Sequence, residues 1–269
     1  MLTFELLVST MHKNQEQVLQ MLQDENIHCD SVVINQCDEN KNEELRFENQ
    51  SVRIFYTTER GLSRSRNMAI RNARADIVAI ADDDLFYYDS FDRTILNYYE
   101  KNSMADVVMF NMDSFMKKFG NHETKCKFTE LGTYISVQTC LNRSALLKKN
   151  VWFRETFGTG SKVFDAGEEN IFLADCFRSG LKIYYCPDKI LKHEQSDSTW
   201  FKGFNDPKFL SDRGAIYCAI SPVFSWLYYL RFVIVKRKII KPISMAQAFK
   251  LILNGRKKYK RFLKEEKKI

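Results

Sequence analysis

Residues 75–89 read ADIVAIADDDLFYYD. An apolar run, Ile77 to Ala81, ends in three consecutive aspartates, Asp82, Asp83 and Asp84, and the chain turns apolar again at Leu85 and Phe86. A short run without polar alternation suits a strand of a parallel sheet, covered on both faces. Acidic residues are poor strand formers, and three in a row repel one another. They therefore mark the carboxyl end of the strand, which is where open α/β sheets bind ligands. Clustered carboxylates without a cysteine or histidine cage favour a hard divalent cation, Mg²⁺ or Mn²⁺, completed by water and substrate phosphates. A helix cap before SFDRTILNYY (90–99) would need only one acid, and Asp89 is better placed for it.

Working outward, the first hundred residues alternate strand-like and helix-like pieces. FELLVS (4–9), SVVIN (31–35) and VRIFYT (52–57) are short apolar runs. NQEQVLQMLQD (14–24) places Val18, Met21 and Leu22 on one helical face. LSRSRNMAIRNA (62–73) follows Gly61 as a second helix, with Met68, Ala69 and Asn72 spaced for one side. This order predicts an α/β fold with a mostly parallel central sheet. Ser9 and Thr10, Asn35 to Asp38, and Asp82 to Asp84 then share one rim. The second half is less regular. ADVVMFNM (105–112) and LKIYYCP (181–187) read as strands, and NRSALLKKN (142–150) and EENIFLADCFRSG (168–180) as helices. FGTGSKVFDAG (157–167) reads as a glycine-containing loop able to move.

Three further groups carry chemistry. RGLSRSRNMAI (60–70) brings Arg64 and Arg66 to the first turns of a helix, a setting that attracts anions. In DAGEENIFLADCF (165–177), Glu168 and Glu169 open a helix whose dipole keeps a carboxylate ionised. Glu169 shares its face with Phe172, Leu173 and Cys176, so it is either a cap or a base aimed into a cleft. His193 follows a strand and is a candidate metal ligand beside Asp82, Asp83 and Asp84.

Seven scattered cysteines without a C-x-x-C pair argue against zinc and dithiol sites and suit reduced thiols in a cytosolic protein. The start, MLTFELLVSTMHKNQ, lacks the basic region of a signal peptide. No run approaches the roughly 20 apolar residues of a membrane span. The net charge of +7 is uneven. Residues 222–269 hold fourteen Lys and Arg against two Glu, so they carry +12 while residues 1–221 carry −5. VFSWLYYLRFVIV (223–235) is aromatic and apolar, and residues 245–269 read as a basic amphipathic helix with a weak point at Gly255. The expected organisation is a domain over 1–221 and a helical tail over 222–269 lying on an anionic membrane surface. Nucleic acid is disfavoured, since no recognition module accompanies the charge.

VSTMH, INQCD, GLSRSRNMAI, ADIVAIADDDL and GEENIFLADCFRSGLKI occur in the order of a family 2 glycosyltransferase with the GT-A (Rossmann-like) fold, and the similarity covers roughly residues 3 to 195. The chain resembles members that build bacterial capsular and surface polysaccharides. The resemblance implies transfer of a sugar, with inversion, from a nucleotide donor, most often UDP-linked, to a hydroxyl of a glycan acceptor. It implies that Ser9, Thr10, Asn35 and Asp38 hold the base and ribose, with Arg66 beside the nucleotide. Asp82, Asp83 and Asp84 would bind the diphosphate and Mn²⁺ or Mg²⁺, with His193 in the region of a further ligand. Glu169 would be the base, with Glu168 beside it and in competition for the role. A basic tail implies a lipid-linked acceptor and a cytoplasmic enzyme peripheral to the inner membrane face; a homo-oligomer is compatible with all of this. Two other classes fit parts of the pattern. A metal-dependent sugar nucleotidyltransferase gives Glu169 no role, and a non-catalytic membrane-binding protein gives none to Asp84 or Glu169.

Overall fold

Four parallel strands form the centre of the sheet: β1 (Phe4–Met11), flanked by β2 (Ser31–Gln36) and β5 (Ile77–Asp82), with β4 (Gln50–Thr57) beyond β2. This is a computed structural model, describing residues 1–114, 120–193, 206–236 and 243–266. The strands pair as the unbroken apolar runs require. Leu6, Val8, Val33, Ala79 and Ala81 face one layer, and Leu7, Val32, Ile34, Val78 and Ile80 the other. Helices α1 (Gln15–Asp24) and α3 (Phe91–Lys101) cover the first face. Helices α2 (Leu62–Asn72), α4 (Arg143–Lys148, through Leu146) and α5 (Glu168–Arg178) cover the second.

Beyond β5 the sheet continues through β9 (Thr139–Asn142), β7 (Val107–Ser114), β10 (Ile183–His193) and β6 (Phe86–Tyr87). Strand β10 runs parallel to β7, whereas β9 is antiparallel to both its neighbours. A short β8 (Thr124–Lys125) also pairs with β10, and β3 (Lys41–Phe47) is antiparallel on the outer edge of β4. The result is a mixed α/β fold whose central sheet is mostly parallel.

Two local differences from the sequence reading have physical causes. Strand β3 is polar because an edge strand with one solvated face needs no apolar run. The buried side of α2 is Ser63, Ser65, Arg66, Asn67, Ala69 and Ile70, so of Met68, Ala69 and Asn72 only Ala69 is buried and the other two are half-buried. Burying that polar side places Arg66 beneath the sheet rim.

After β10, helices α6 (Pro207–Ile220), α7 (Ser225–Lys236) and α8 (Met245–Glu266) pack on one another. Leu210, Tyr229, Phe232, Val233, Ala248 and Ile252 form their shared core. The 157–167 loop joins this unit: Phe157 and Phe164 are buried and stacked 4.8 Å apart, both edge-on to Tyr259 of α8. Helices α6 and α8 cross where Gly214 faces Ile252 and Gly255 faces Ser211. A Cβ at position 255 would lie 1.6 Å from the Ser211 carbonyl oxygen. The weak point in helix propensity is therefore the point of closest approach. Gly255→Ala should force the helices apart and cost at least about 1–3 kcal/mol, read as a fall in Tm by circular dichroism. An unchanged Tm would show that the crossing is loose.

Candidate active site

The polar site grows from three strand ends and two helix starts. In the β1 pairing, Ser9 lies beside Asp82 of β5 and Thr10 beside Asn35 of β2. Helix α2 starts after Gly61 (φ +118°), whose Cα lies 3.3 Å from where a Cβ on Gly160 would be. Leu62 N–H donates to the Thr159 carbonyl, so the glycine-to-glycine contact anchors the 157–167 loop directly to the start of α2. Helix α5 starts after Gly167 (φ +90°), where a Cβ would meet Ile216 at 2.5 Å. No side chain caps α5, so its opening acids are free to turn elsewhere.

They turn to Arg66. The guanidinium is fully buried, with Nη2 at 2.9 Å from Asp82 Oδ1 and Nη1 at 3.2 Å from Glu168 Oε1. Nη2 also donates to Ser136 Oγ at 2.8 Å. The Ser136 N–H in turn donates to Glu169 Oε2 at 3.2 Å. One cation thus binds the end of β5 to the start of α5, with Ser136 as the link to Glu169. Burial alone would lower the Arg66 pKa, but Asp82, Glu168 and Glu169 outweigh it and raise it. Burial, reinforced by the Glu168 charge, pushes the Glu169 carboxyl up to about 7, against the opposing pull of Arg66.

The second aspartate has its own cation. Asp83 Oδ2 accepts from Thr10 Oγ1 at 2.5 Å and lies 3.3 Å from Lys13 Nζ. The Lys13 backbone is held by Asn35, whose buried side-chain amide pairs with both its N–H and its carbonyl. Asp84 is exposed beside them. Met11, Lys13, Gln17, Glu25, Asp83 and Asp84 line part of a cavity of about 560 Å³. Glu25 is buried at the end of α1, and its Oε2 has no hydrogen-bond partner among the described residues. Desolvation, and then the Asp83 charge, push it up to about 8.

The candidate residues thus divide into groups. Arg66, Asp82, Glu168 and Glu169 converge, and Thr10 and Asp83 form a second contact one residue along the turn. Ser9 accepts a hydrogen bond from Ser65 Oγ at 2.8 Å, buried behind the rim. Asp38 stands apart at the surface, paired with Arg60 at 2.7 Å. His193 closes β10, in register with Ser114, and its side chain lies outside the described residues. Lys13, Ser136 and Glu25 were not anticipated. Lys13 could have been found by asking which cation balances Asp83: it lies four residues past the end of the neighbouring FELLVS run (4–9). No comparable signal marks Ser136, which sits in a 3₁₀ turn far along the chain.

Among the described residues, no group of three or more His, Cys, Asp or Glu surrounds one point as a ready cage. Mg²⁺-type sites do not need one, since one or two carboxylates suffice when phosphates and water complete the shell. The turn supplies carboxylate oxygens, and the Asp83 charge adds to the desolvation that raises the neighbouring Glu25 carboxyl. This donor set fits a hard divalent ion that arrives with a diphosphate.

The profile described as Glycosyl transferase family 2 matches residues 15–163. Among solved structures, S. aureus TarS 1-349 aligns with a TM-score of 0.60 at 11% identity, over 95% of this chain and 91% of that one. The same TarS fragment in complex with UDP-GlcNAc aligns with a TM-score of 0.60 at 11% identity, over 95% and 92%. Its complex with UDP gives 0.57 at 11%, over 98% and 92%. At such identity the likeness establishes the fold. No curated protein matches the chain significantly.

Proposed function

The chain belongs to glycosyl transferase family 2, and we propose that it transfers a sugar, with inversion, from a UDP-sugar to a hydroxyl of a glycan acceptor. The observation that carries this reading is the Arg66 cluster, which sets Glu169 at the start of α5 and Asp82 at the end of β5 around one buried cation. A nucleotidyltransferase would have no use for a carboxylate raised to about 7 at that place. The binding of UDP and UDP-GlcNAc by the structurally similar TarS supports a uridine diphosphate donor.

The residues act as follows. Glu169 takes the proton from the acceptor hydroxyl as its oxygen attacks the anomeric carbon. With its carboxyl raised by burial and the Glu168 charge, it is a stronger base than an ordinary Glu. Arg66 holds Glu168 and Asp82 in place and keeps the converging carboxylates from repelling one another. Lys13 stands beside Asp83, where its ammonium can meet the charge of the departing diphosphate. Asp82, Asp83 and Asp84 would hold Mn²⁺ or Mg²⁺, which when bound neutralises that same charge. Thr10 and Asn35 shape the nucleotide side of the rim by fixing Asp83 and the Lys13 backbone. The acceptor is a lipid-linked glycan of bacterial surface polysaccharide synthesis, met at the cytoplasmic face of the membrane.

The test is a screen of UDP-, GDP- and dTDP-sugars with Mn²⁺, reading nucleoside diphosphate release. UDP should appear from a UDP-sugar. Excess EDTA should slow its release by at least about 100-fold, equivalent to roughly 3 kcal/mol of charge stabilisation. Pyrophosphate as the product would replace transfer by nucleotidyl transfer, and full activity in EDTA would remove the metal from Asp82–Asp84.

A further inference from the structure

Helix α7 has two apolar faces, and among the described residues only one is packed against the rest of the protein. Ser225, Tyr229, Phe232 and Val233 are buried against α6 and α8, and the Tyr229 hydroxyl donates to the Gly214 carbonyl at 3.1 Å. Leu227, Leu230 and Ile234 recur at helical spacing on the outward face and are 47%, 42% and 56% exposed. Val223 and Trp226 extend the stripe at its start. Solvated faces rarely carry a continuous apolar stripe, and one rimmed by charge marks a contact surface.

The charge around it selects the partner. Residues 213–264 contain thirteen Lys and Arg and no Asp or Glu. Arg231 is exposed on α7 itself, and Lys250, Lys257, Lys260, Arg261 and Lys264 are exposed on α8. A second copy of this surface would bring like charges together. A nucleic acid would match the charge and leave the stripe wet. An anionic bilayer satisfies both, since apolar and Trp side chains enter the headgroup boundary while Lys and Arg meet lipid phosphates. No described helix is long and apolar enough to cross a membrane. We infer that the outward face of α7, from Trp226 to Ile234, together with Val223 just before the helix, docks on an anionic lipid surface and lies along it. The inference goes beyond sugar transfer, and its readout needs no catalysis.

The test is flotation of the full chain with phosphatidylcholine vesicles containing or lacking phosphatidylglycerol. The wild type should bind the anionic vesicles and release at high salt. The double variant Leu230→Gln, Ile234→Gln removes two apolar contacts and no charge, and should lower the partition coefficient at least tenfold. Its Tm and donor turnover should match the wild type, because both side chains point outward. A Tm loss would move the test to Leu227→Gln, which should show the same direction of change. Binding undiminished in the variants would overturn the inference. So would wild-type binding to neutral and anionic vesicles alike, a dimer that the variant dissolves, or tight nucleic-acid binding without vesicle binding. Loss of donor turnover with vesicle binding intact would count against the catalytic reading alone.

Discussion

Glu169→Gln should lower kcat for sugar transfer by about 10²–10⁴-fold, the usual contribution of a positioned general base, with donor affinity unchanged. The amide keeps the size of the side chain and can still pair with the Ser136 N–H. What disappears is the site that receives the acceptor proton. The pH profile should carry the same signature. Only ionised Glu169 works as a base, so kcat rises with pH below about 7 and levels above it. Glu168→Gln separates the two adjacent acids. It removes the negative charge that helps raise Glu169, so activity should persist with its rising limb moved to lower pH. If Glu168→Gln instead abolishes turnover and Glu169→Gln does not, the base is Glu168. The raised carboxyl also weighs on stability. Between about 4.5 and 7 folded Glu169 holds a proton that the unfolded chain has lost, so its contribution to stability falls as pH rises through that window.

Arg66→Met should be the most destabilising single change at the rim. The guanidinium is fully buried and paired with Asp82 and Glu168. Removing one partner of a buried ion pair typically costs about 3–5 kcal/mol, because the other charges stay behind unpaired. Here three carboxylates, Asp82, Glu168 and Glu169, would face one another without a cation. Added protons at low pH would relieve that repulsion. The loss should therefore be large at pH 8 and smaller at pH 5. Urea unfolding at the two pH values measures it. An equal loss at both would reduce Arg66 to a packing role against Phe153, whose ring lies 5.5 Å away.

The sheet centre was legible because burial on both faces leaves an unambiguous trace. β1, β2, β4 and β5 are apolar runs of near-correct extent, and Val18, Met21 and Leu22 form the inner face of α1. Elements with one solvated side left less. The polar edge strand β3 and the short antiparallel β9 show no such run, and α6 hides its buried Gly214, Ala215 and Ala219 among ordinary small residues. The same division holds at the site. Asp82 stood out as an acid closing an apolar run, Glu169 as an acid on an apolar helix face, and Arg66 as a cation in the first turns of a helix. Asn35 was marked only as a polar strand end, without its hold on Lys13, and Ser136 was not marked at all, since a loop hydroxyl is recognisable only by what it holds. The positive charge that the aspartates require comes in part from the protein itself. Arg66 serves Asp82, and Lys13 serves Asp83. That pairing depends on strand register, which no local pattern encodes.

Placing Glu169 as the single base commits the reaction to one displacement at the anomeric carbon, with the acceptor opposite the departing diphosphate. Proton NMR of the first product linkage tests this most directly, with a donor of known anomeric configuration. An α-linked nucleotide sugar should give a β-linked product. An α-linked product would contradict the single-base mechanism and require a different role for Glu169.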